Sequence, residues 1–194
     1  MANFVTFIVT GFWAGKIPFA PGTFGSLVAF PLCYIILFLS AYFDARIKIL
    51  ASSSEQEQLF GILAVFIISF ILIFFVGKYL SDIYIDRCKI EDPKEIVIDE
   101  IAGQMLTIIL CSMSPIFVHQ SYLKNYLSPD MIDFIFLLLL PFLFFRLFDI
   151  LKPWPIDLID QKVKGGLGVM LDDVVAGIFA SIICYAITFI IIGS

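Results

Sequence analysis

Charged residues are scarce in this chain of 194 residues, where only 15% are Asp, Glu, Lys or Arg. A soluble domain of similar length has about a quarter of its residues charged. The formal net charge is −5, so the chain has no basic surface of the kind that binds nucleic acid. Hydrophobic residues make up 61% of the chain, and the mean hydropathy is +1.03. These values exclude an ordinary soluble domain and predict an integral membrane protein.

Histidine and cysteine, two common metal ligands, are also rare, with one and four residues respectively. The cysteines have no paired spacing. Three of them lie in apolar segments, where a free thiol behaves as a small hydrophobic group. We therefore expect neither a disulfide nor a zinc site.

Five apolar segments approach the roughly 20 residues that a helix needs to cross a bilayer. They are continuous rather than alternating in polarity, which favours helices over a β-barrel. A shorter apolar segment at 4–14 lacks the charge and cleavage site of a signal peptide, so we expect an interfacial or re-entrant helix there. The sequence thus predicts an all-α integral membrane fold with one domain over residues 1–194. The spans are expected at residues 24–43, 59–77, 101–118, 131–148 and 174–192.

The lysines and arginines divide unequally between the two ends of these spans. With the N-terminus inside, nine fall on the cytoplasmic side, and three, Arg46, Lys48 and Lys124, fall outside. Short cytoplasmic loops carry the excess of positive residues, so we expect the N-terminus inside and the C-terminus outside. His119, the single histidine, then lies near the outer face, which leaves none for a phosphohistidine mechanism at a cytoplasmic site.

Four polar clusters lie at span ends, and alternating helix directions would place all four on the cytoplasmic face. Charged groups at membrane depth are costly and usually mark function. Carboxylates, glycines, hydroxyls and a few cations together suit phosphate and a divalent metal ion. The clusters are APGTFGS at 20–26, IDE at 98–100, RLFDILKPWP at 146–155 and GGLGVMLDD at 165–173.

The cluster at 20–26 is typical of a turn that leads into a helix. Pro21 and Gly22 favour the turn, and Thr23 or Ser26 can cap the helix. Gly22 and the following Gly25 would let a phosphate approach backbone N–H groups at the helix start. Plain capping of the first span explains the same residues equally well.

The cluster at 165–173 repeats this design, with a flexible glycine stretch before Asp172 and Asp173 at a helix start. These two acids, and the pair Asp99 and Glu100, could supply oxygen ligands to Mg²⁺. Acids at helix N-termini are also favoured by the helix dipole, which offers a structural alternative for each pair. Asp149 does not fit that alternative, because it lies at the C-terminal end of its helix.

Arg146 and Asp149 are three residues apart, so they share a helix face that Lys152 continues. A simple ion pair is one interpretation. The functional alternative has Arg146 and Lys152 binding phosphate and Asp149 binding metal or activating water. Lys164, beside a glycine, is a further candidate phosphate contact. We expect Asp157 and Asp160 to lie on a solvated loop.

The clusters extend into four longer motifs that occur in order along nearly the whole chain. The first is G-x-x-x-G-x-x-P-x-x-P-G-T from Gly11 to Thr23, and the second is D-E-x-x-G from Asp99 to Gly103. The third is R-x-x-D-x-x-K-P-W-P-I from Arg146 to Ile156, and the fourth is G-G-x-G-x-x-x-D-D-x-x-A-G from Gly165 to Gly177. Together they resemble the motifs of the bacterial phosphatidylglycerophosphatase A family. Trp13 departs from the pattern, which favours a small residue there.

This resemblance implies a magnesium-dependent phosphatase of the bacterial inner membrane whose substrate is a phospholipid. Such an enzyme removes the terminal phosphate of phosphatidylglycerophosphate to give phosphatidylglycerol, and we expect metal-assisted hydrolysis at the cytoplasmic interface. As catalytic residues we expect Asp99, Glu100, Asp149 and Asp173. As Mg²⁺ ligands we expect Asp99, Glu100, Asp149, Asp172 and Asp173. As substrate-binding residues we expect Gly22, Thr23, Ser26, Arg146, Lys152 and Lys164.

Two other kinds of membrane protein fit the composition less well. A CDP-alcohol phosphotransferase also uses magnesium, but it carries a long run of aspartates and glycines on consecutive helical turns that this chain lacks. A small transporter or ion carrier places polar residues near the bilayer midplane, whereas the charges here lie at span ends. A covalent aspartyl-phosphate is possible in principle, although the chain lacks the D-x-D motif of haloacid dehalogenases.

The predicted orientation can be tested by cysteine labelling in a background without native cysteines. An impermeant maleimide applied to intact cells should label Ser53→Cys, which is expected outside, but not Gly165→Cys. Lysed cells provide the control, because both positions should then react. The reverse pattern in intact cells would place the polar clusters on the outer face.

Overall fold

The computed structural model describes residues 2–48, 55–90 and 93–193, and these ranges contain no strand. The external labelling position Ser53 lies outside the described residues, as do the side chains of Arg46 and Lys48. The all-α prediction is confirmed for the described part, which contains five helices long and apolar enough to cross a membrane. These candidate spans are Pro21–Phe43, Glu57–Cys88, Ile98–Val118, Pro129–Leu151 and Gly165–Gly193.

Short helical segments connect or extend the long helices. 3₁₀ turns at Ala14–Lys16 and Tyr122–Asn125 lie in the connections. A π-helical segment at Phe134–Leu139 joins two of the α-helices without a break. The α-helices are α1 Ala2–Val9, α2 Pro21–Lys48, α3 Glu55–Cys88, α4 Ile98–Cys111, α5 Ser114–Val118, α6 Pro129–Asp133, α7 Leu140–Leu151, α8 Ile156–Lys162 and α9 Gly165–Gly193.

Helix α4 lies at the centre of the bundle, with α9, α2, α3 and α7 packed around it. Most of its residues are buried, including the fully covered Met105 and Cys111. Helix α3 lies at the periphery and exposes large apolar side chains such as Phe60 and Ile68. An apolar outer surface around a buried central helix is the arrangement expected for helices surrounded by lipid.

The short N-terminal helix α1 packs into the bundle. Val5 and Val9 are buried in a cluster with Leu80 and Met170, and the Val9 carbonyl accepts a hydrogen bond of 2.9 Å from the Val97 N–H. The segment is too short to span a membrane, as predicted, and this backbone hydrogen bond connects it to the start of α4. Trp13 has a left-handed φ of 68°, which explains why a small residue is favoured there.

The predicted glycine loop at 165–173 is wrong, because α9 begins at Gly165 and is helical through Asp172 and Asp173. Both acids therefore lie about two turns inside the helix rather than at its start. The glycines serve close packing here. A Cβ on Gly166 would overlap the Lys78 carbonyl of α3, and one on Gly168 would overlap the Val163 carbonyl.

The start of α2 also differs from the prediction. Pro21 and Gly22 are already helical, and Ala20, with φ of 48°, makes the turn before them. Proline is favoured at the first helical position, because a backbone N–H there has no partner within the helix and proline has no N–H to leave unpaired. Ser26 does not cap the helix, since its hydroxyl donates to the Gly22 carbonyl at 2.9 Å, one turn earlier. Gly25 faces Val97 instead of a ligand, so it too serves packing.

Glycines also bring α4 and α9 together. A Cβ on Gly103 would lie 2.6 Å from the Phe145 ring and 2.8 Å from the Asp173 carbonyl oxygen, and one on Gly177 would lie 2.8 Å from the Gly103 carbonyl oxygen. Such distances leave no room for a methyl group. The two backbones are therefore in contact about one turn from Asp99, Glu100 and Asp173.

This contact predicts that Gly103→Ala is destabilising. Forcing an extra carbon into a packed core costs about 1–3 kcal/mol. Gly61→Ala is the matched control, because a Cβ there meets nothing within 4 Å and alanine is the better helix former. Thermal unfolding of the detergent-solubilised protein should show a lower Tm for Gly103→Ala and an equal or higher one for Gly61→Ala. Equal Tm values for the two variants would contradict the proposed contact.

Candidate functional site

A cavity of about 490 Å³ lies where α2, α4 and α9 begin and α7 ends. All four polar clusters contribute to its lining, so their predicted convergence is confirmed as a meeting at one end of the helix bundle. The predicted residues Thr23 and Ser26 do not line it. The predicted residues that do are Gly22, Asp99, Glu100, Arg146, Asp149, Lys152, Lys164, Asp172 and Asp173.

Three carboxylates form the innermost group in this cavity. One oxygen each of Asp99, Glu100 and Asp173 lies within 4.8 Å of the others. The first two are in the opening turn of α4, and the third reaches them because α9 touches α4 one turn deeper. Helix geometry and the glycine contact thus bring together two acidic pairs that are 73 residues apart in the sequence.

The buried oxygens of these carboxylates lack hydrogen-bond partners among the described residues. They are Oδ1 of Asp99, Oε2 of Glu100 and Oδ2 of Asp173. A buried anionic oxygen without a partner is very unfavourable, unless a cation or a proton neutralises it. Oxygen donors are also the ligands that a hard divalent cation prefers. The three side chains therefore fit a divalent metal ion.

Arg146 connects the acidic group to α2. Its guanidinium forms an ion pair with Asp149, and both side chains are mostly buried, with 14% and 12% exposed. One of its nitrogens also donates to the Ser26 hydroxyl at 3.3 Å. Ser26 therefore does not line the cavity but contacts the site through Arg146. The predicted i, i+3 pair on α7 is present.

Gly22 allows the guanidinium and a carboxylate to approach the backbone of α2. A Cβ at this position would overlap the Glu100 carboxylate and would lie 3.0 Å from a terminal nitrogen of Arg146. Any side chain here would push these two groups apart. Gly22 therefore contributes to the site by leaving room for these two groups. Thr23 is half-buried beside it and does not line the cavity.

Lys152 ends α7 in a left-handed conformation with φ of 42° and ψ of 56°. Its ammonium donates to Asp172 at 2.6 Å and to Asp160 at 2.7 Å. Burial lowers the pKa of Lys152, but the two carboxylates outweigh burial and raise the pKa above the ordinary lysine value. The side chain is therefore a fixed positive charge in the cavity wall.

Asp160 is a site residue that the sequence did not suggest. It was expected on a solvated loop, but it lies on α8, lines the cavity and pairs with Lys152. The chain reverses after Pro153-Trp154-Pro155, so α8 returns towards the end of α7. That turn signal could have indicated that an acid one turn into α8 reaches back to Lys152.

Asp82 is a second residue that the sequence did not suggest. It lies on α3, beyond the residue at which the second span was expected to end. Its carboxylate accepts a hydrogen bond of 2.6 Å from the Gly166 N–H and pairs with Lys78 at 2.8 Å. A carboxylate at a helix N-terminus is favoured by the helix dipole. Asp82 thus fixes the start of α9, the helix that carries Asp172 and Asp173.

The fold and the site define a class of protein. Its described residues form five helices of membrane-spanning length, and a cavity at one end of the bundle combines carboxylates that fit a divalent metal ion with fixed cations. The family model described as Phosphatidylglycerophosphatase A matches residues 7–188. The chain therefore belongs to this family, as its motifs had indicated.

Similar proteins cover nearly the whole chain. Phosphatidylglycerophosphatase A of Escherichia coli (strain K12) is 29% identical over 187 residues, which is 96% of this chain and 85% of that protein. Phosphatidylglycerophosphatase A of Haemophilus influenzae is 32% identical, over 97% of this chain and 91% of that protein. A Bacteroides thetaiotaomicron protein provisionally named phosphatidylinositol-3-phosphatase is 30% identical, over 91% of this chain and 88% of that protein. No solved structure matches the chain.

Proposed function

We propose that this protein is a magnesium-dependent lipid phosphatase that converts phosphatidylglycerophosphate to phosphatidylglycerol. The observation that carries the proposal is the group formed by Asp99, Glu100 and Asp173, each with one buried oxygen that lacks a partner among the described residues, beside the Arg146 guanidinium. An acidic metal site next to a phosphate-binding cation suits phosphomonoester hydrolysis. Family membership and the names of two relatives support phosphatidylglycerophosphate as the substrate.

The three innermost carboxylates would hold Mg²⁺, which prefers oxygen ligands and keeps several waters. When bound, the ion withdraws charge from the phosphoryl group and lowers the pKa of a bound water. Arg146 binds non-bridging phosphate oxygens, because a guanidinium matches them with paired N–H donors. Lys152 supplies a second positive charge in the cavity wall.

Asp149 is the group that we assign to proton transfer. It lines the cavity, and Arg146 holds it in place through their ion pair. The oxygen of a water forms a bond to phosphorus while its proton passes to the Asp149 carboxylate. The bond from phosphorus to the glycerol oxygen breaks, the electron pair stays on that oxygen, and the proton from Asp149 is delivered to it. The products are an alcohol and inorganic phosphate.

We further propose that the protein lies in the bacterial inner membrane with this cavity at the cytoplasmic interface. The excess of lysine and arginine at that end of the helices supports the orientation. The exposed apolar surface of α3, which includes Phe60, Ile68 and Leu72, supports contact with lipid tails. A lipid headgroup would then reach the cavity from the side.

Phosphate release tests the proposed activity. The purified protein in detergent should release phosphate from phosphatidylglycerophosphate with Mg²⁺, lose that activity with excess chelator, and regain it when Mg²⁺ is restored. Ca²⁺ should substitute poorly, because it prefers more ligands and longer bonds. Phosphatidylinositol 3-phosphate should be a poor substrate. Faster release from that lipid, or full activity in chelator, would contradict the proposal.

Substitution of Asp149 tests the proposed mechanism. Asp149→Asn keeps the size of the side chain but cannot accept a proton, and general base catalysis contributes about 10²–10⁴-fold. We expect phosphate release to fall by at least about a hundredfold, and the Tm, measured alongside, reports the separate cost of leaving the Arg146 charge unpaired. Asp130→Asn is the matched control, because Asp130 is exposed at the start of α6, away from the cavity. Near wild-type release by Asp149→Asn would contradict the assigned role.

A further inference from the structure

The five carboxylates expected to bind metal fall into two groups with different partners. Asp99, Glu100 and Asp173 converge on one another, and none of them forms an ion pair with a cation among the described residues. Asp149 and Asp172 instead each form an ion pair with a fixed cation of the chain, although one Asp172 oxygen is also buried without a partner. The described part of the cavity therefore contains one acidic group without an ion pair and two ion pairs.

We propose that the cavity takes one divalent cation, held by Asp99, Glu100 and Asp173, and that the Lys152 ammonium occupies the place of a second. The inference rests on the proposed function, in which the cavity binds a divalent metal beside phosphate. Many metal-dependent phosphatases place two ions about 3.5–4 Å apart. Here the second positive charge belongs to the polypeptide.

The position of Lys152 is fixed by its surroundings. Its ammonium lies 2.6 Å from one Asp172 oxygen and 2.7 Å from one Asp160 oxygen, bridging α9 and α8. The left-handed backbone at the end of α7 directs the side chain towards these helices. The carbonyl end of a helix also favours a cation. A second metal ion at Asp172 Oδ2 would have to displace this ammonium from two contacts, and one at the unpartnered Oδ1 would lie beside a fixed positive charge.

Asp160 has a positioning role in this arrangement. Asp172 is nearly covered, with 7% of its side chain exposed, whereas Asp160 is 42% exposed at the mouth of the cavity. The outer carboxylate holds the ammonium from the solvent side while the inner one holds it from the bundle side. Lys152 thus stays near the phosphate site whether or not substrate is bound.

Counting bound Mn²⁺ tests this inference without measuring activity. Mn²⁺ prefers the same oxygen ligands as Mg²⁺ and is visible by electron paramagnetic resonance. Equilibrium dialysis of the purified full-length protein in detergent should give one Mn²⁺ per chain and an uncoupled spectrum. Two ions per chain, or an exchange-coupled spectrum, would overturn the proposal whatever the variants show.

Two substitutions separate ligands from paired acids. Asp173→Asn should weaken Mn²⁺ binding by more than about a hundredfold, whereas Asp172→Asn should weaken it less, within the about 10–100-fold range of groups outside the ligand set. Equal losses for the two variants would overturn the assignment. If either variant fails to fold, the number of Mn²⁺ ions bound per wild-type chain still tests the proposal.

Removal of the Lys152 ammonium is the most direct test of whether it excludes a second ion. Lys152→Ala leaves Asp172 and Asp160 without their cation, and we expect a second, weaker Mn²⁺ to bind, which raises the count from one to two. Lys162→Ala is the control, because this exposed lysine does not line the cavity, and its count should stay at one. A count of one for Lys152→Ala would show that Lys152 does not exclude a second ion.

The outcome is separable from the proposed activity. If one Mn²⁺ binds but no lipid phosphate is released, the proposed function fails and the single-ion site stands. If phosphatidylglycerophosphate is hydrolysed with two Mn²⁺ per chain, the function stands and this inference fails.

Discussion

The close contact between α4 and α9 is the constraint on which the site depends. Like-charged carboxylates repel one another in a low-dielectric environment, so the helices that carry them would separate without a compensating interaction. Gly103 and Gly177 supply it, because their missing side chains let the backbones touch. Since each glycine lies four residues after an acid, Asp99 or Asp173, this contact sets the distance between the two carboxylates.

Much of the fold follows from the sequence, because the bilayer restricts the choice of structure. Continuous apolar runs predict spanning helices, and the helix direction then determines which polar clusters meet. The boundaries near glycine are less predictable. Glycine favours loops in a soluble context, but small residues also mark close helix contacts in membrane proteins. Gly166 and Gly168 belong to the second kind, which is why the loop predicted at 165–173 is helical.

Contacts between distant segments were harder to predict, because no periodic pattern in the sequence indicates which segments meet. Ser26 meets Arg146 across 120 residues, and Asp82 meets Gly166 across 84. The charge pattern predicted Arg146 as a phosphate-binding cation, but only the packing of α2 against α7 shows what holds it. Lys152 is similar, since its spacing from Arg146 suggested a shared helix face, whereas its left-handed backbone turns it towards Asp160 and Asp172. The sequence thus predicts which chemical groups line the candidate site, but predicts less well which residues contact one another there.

The concentration of polar groups at one end of the bundle has a physical reason if the substrate is a lipid. Moving a methylene group from hydrocarbon into water costs about 0.8 kcal/mol. Two chains of about 16 carbons would therefore cost on the order of 25 kcal/mol to extract. That exceeds the roughly 18–21 kcal/mol of the tightest non-covalent complexes. A site that left those chains in water could not hold such a substrate against the bilayer. The reacting groups must instead lie at the depth of the headgroups, where the helices begin and end and where charged side chains can still be hydrated.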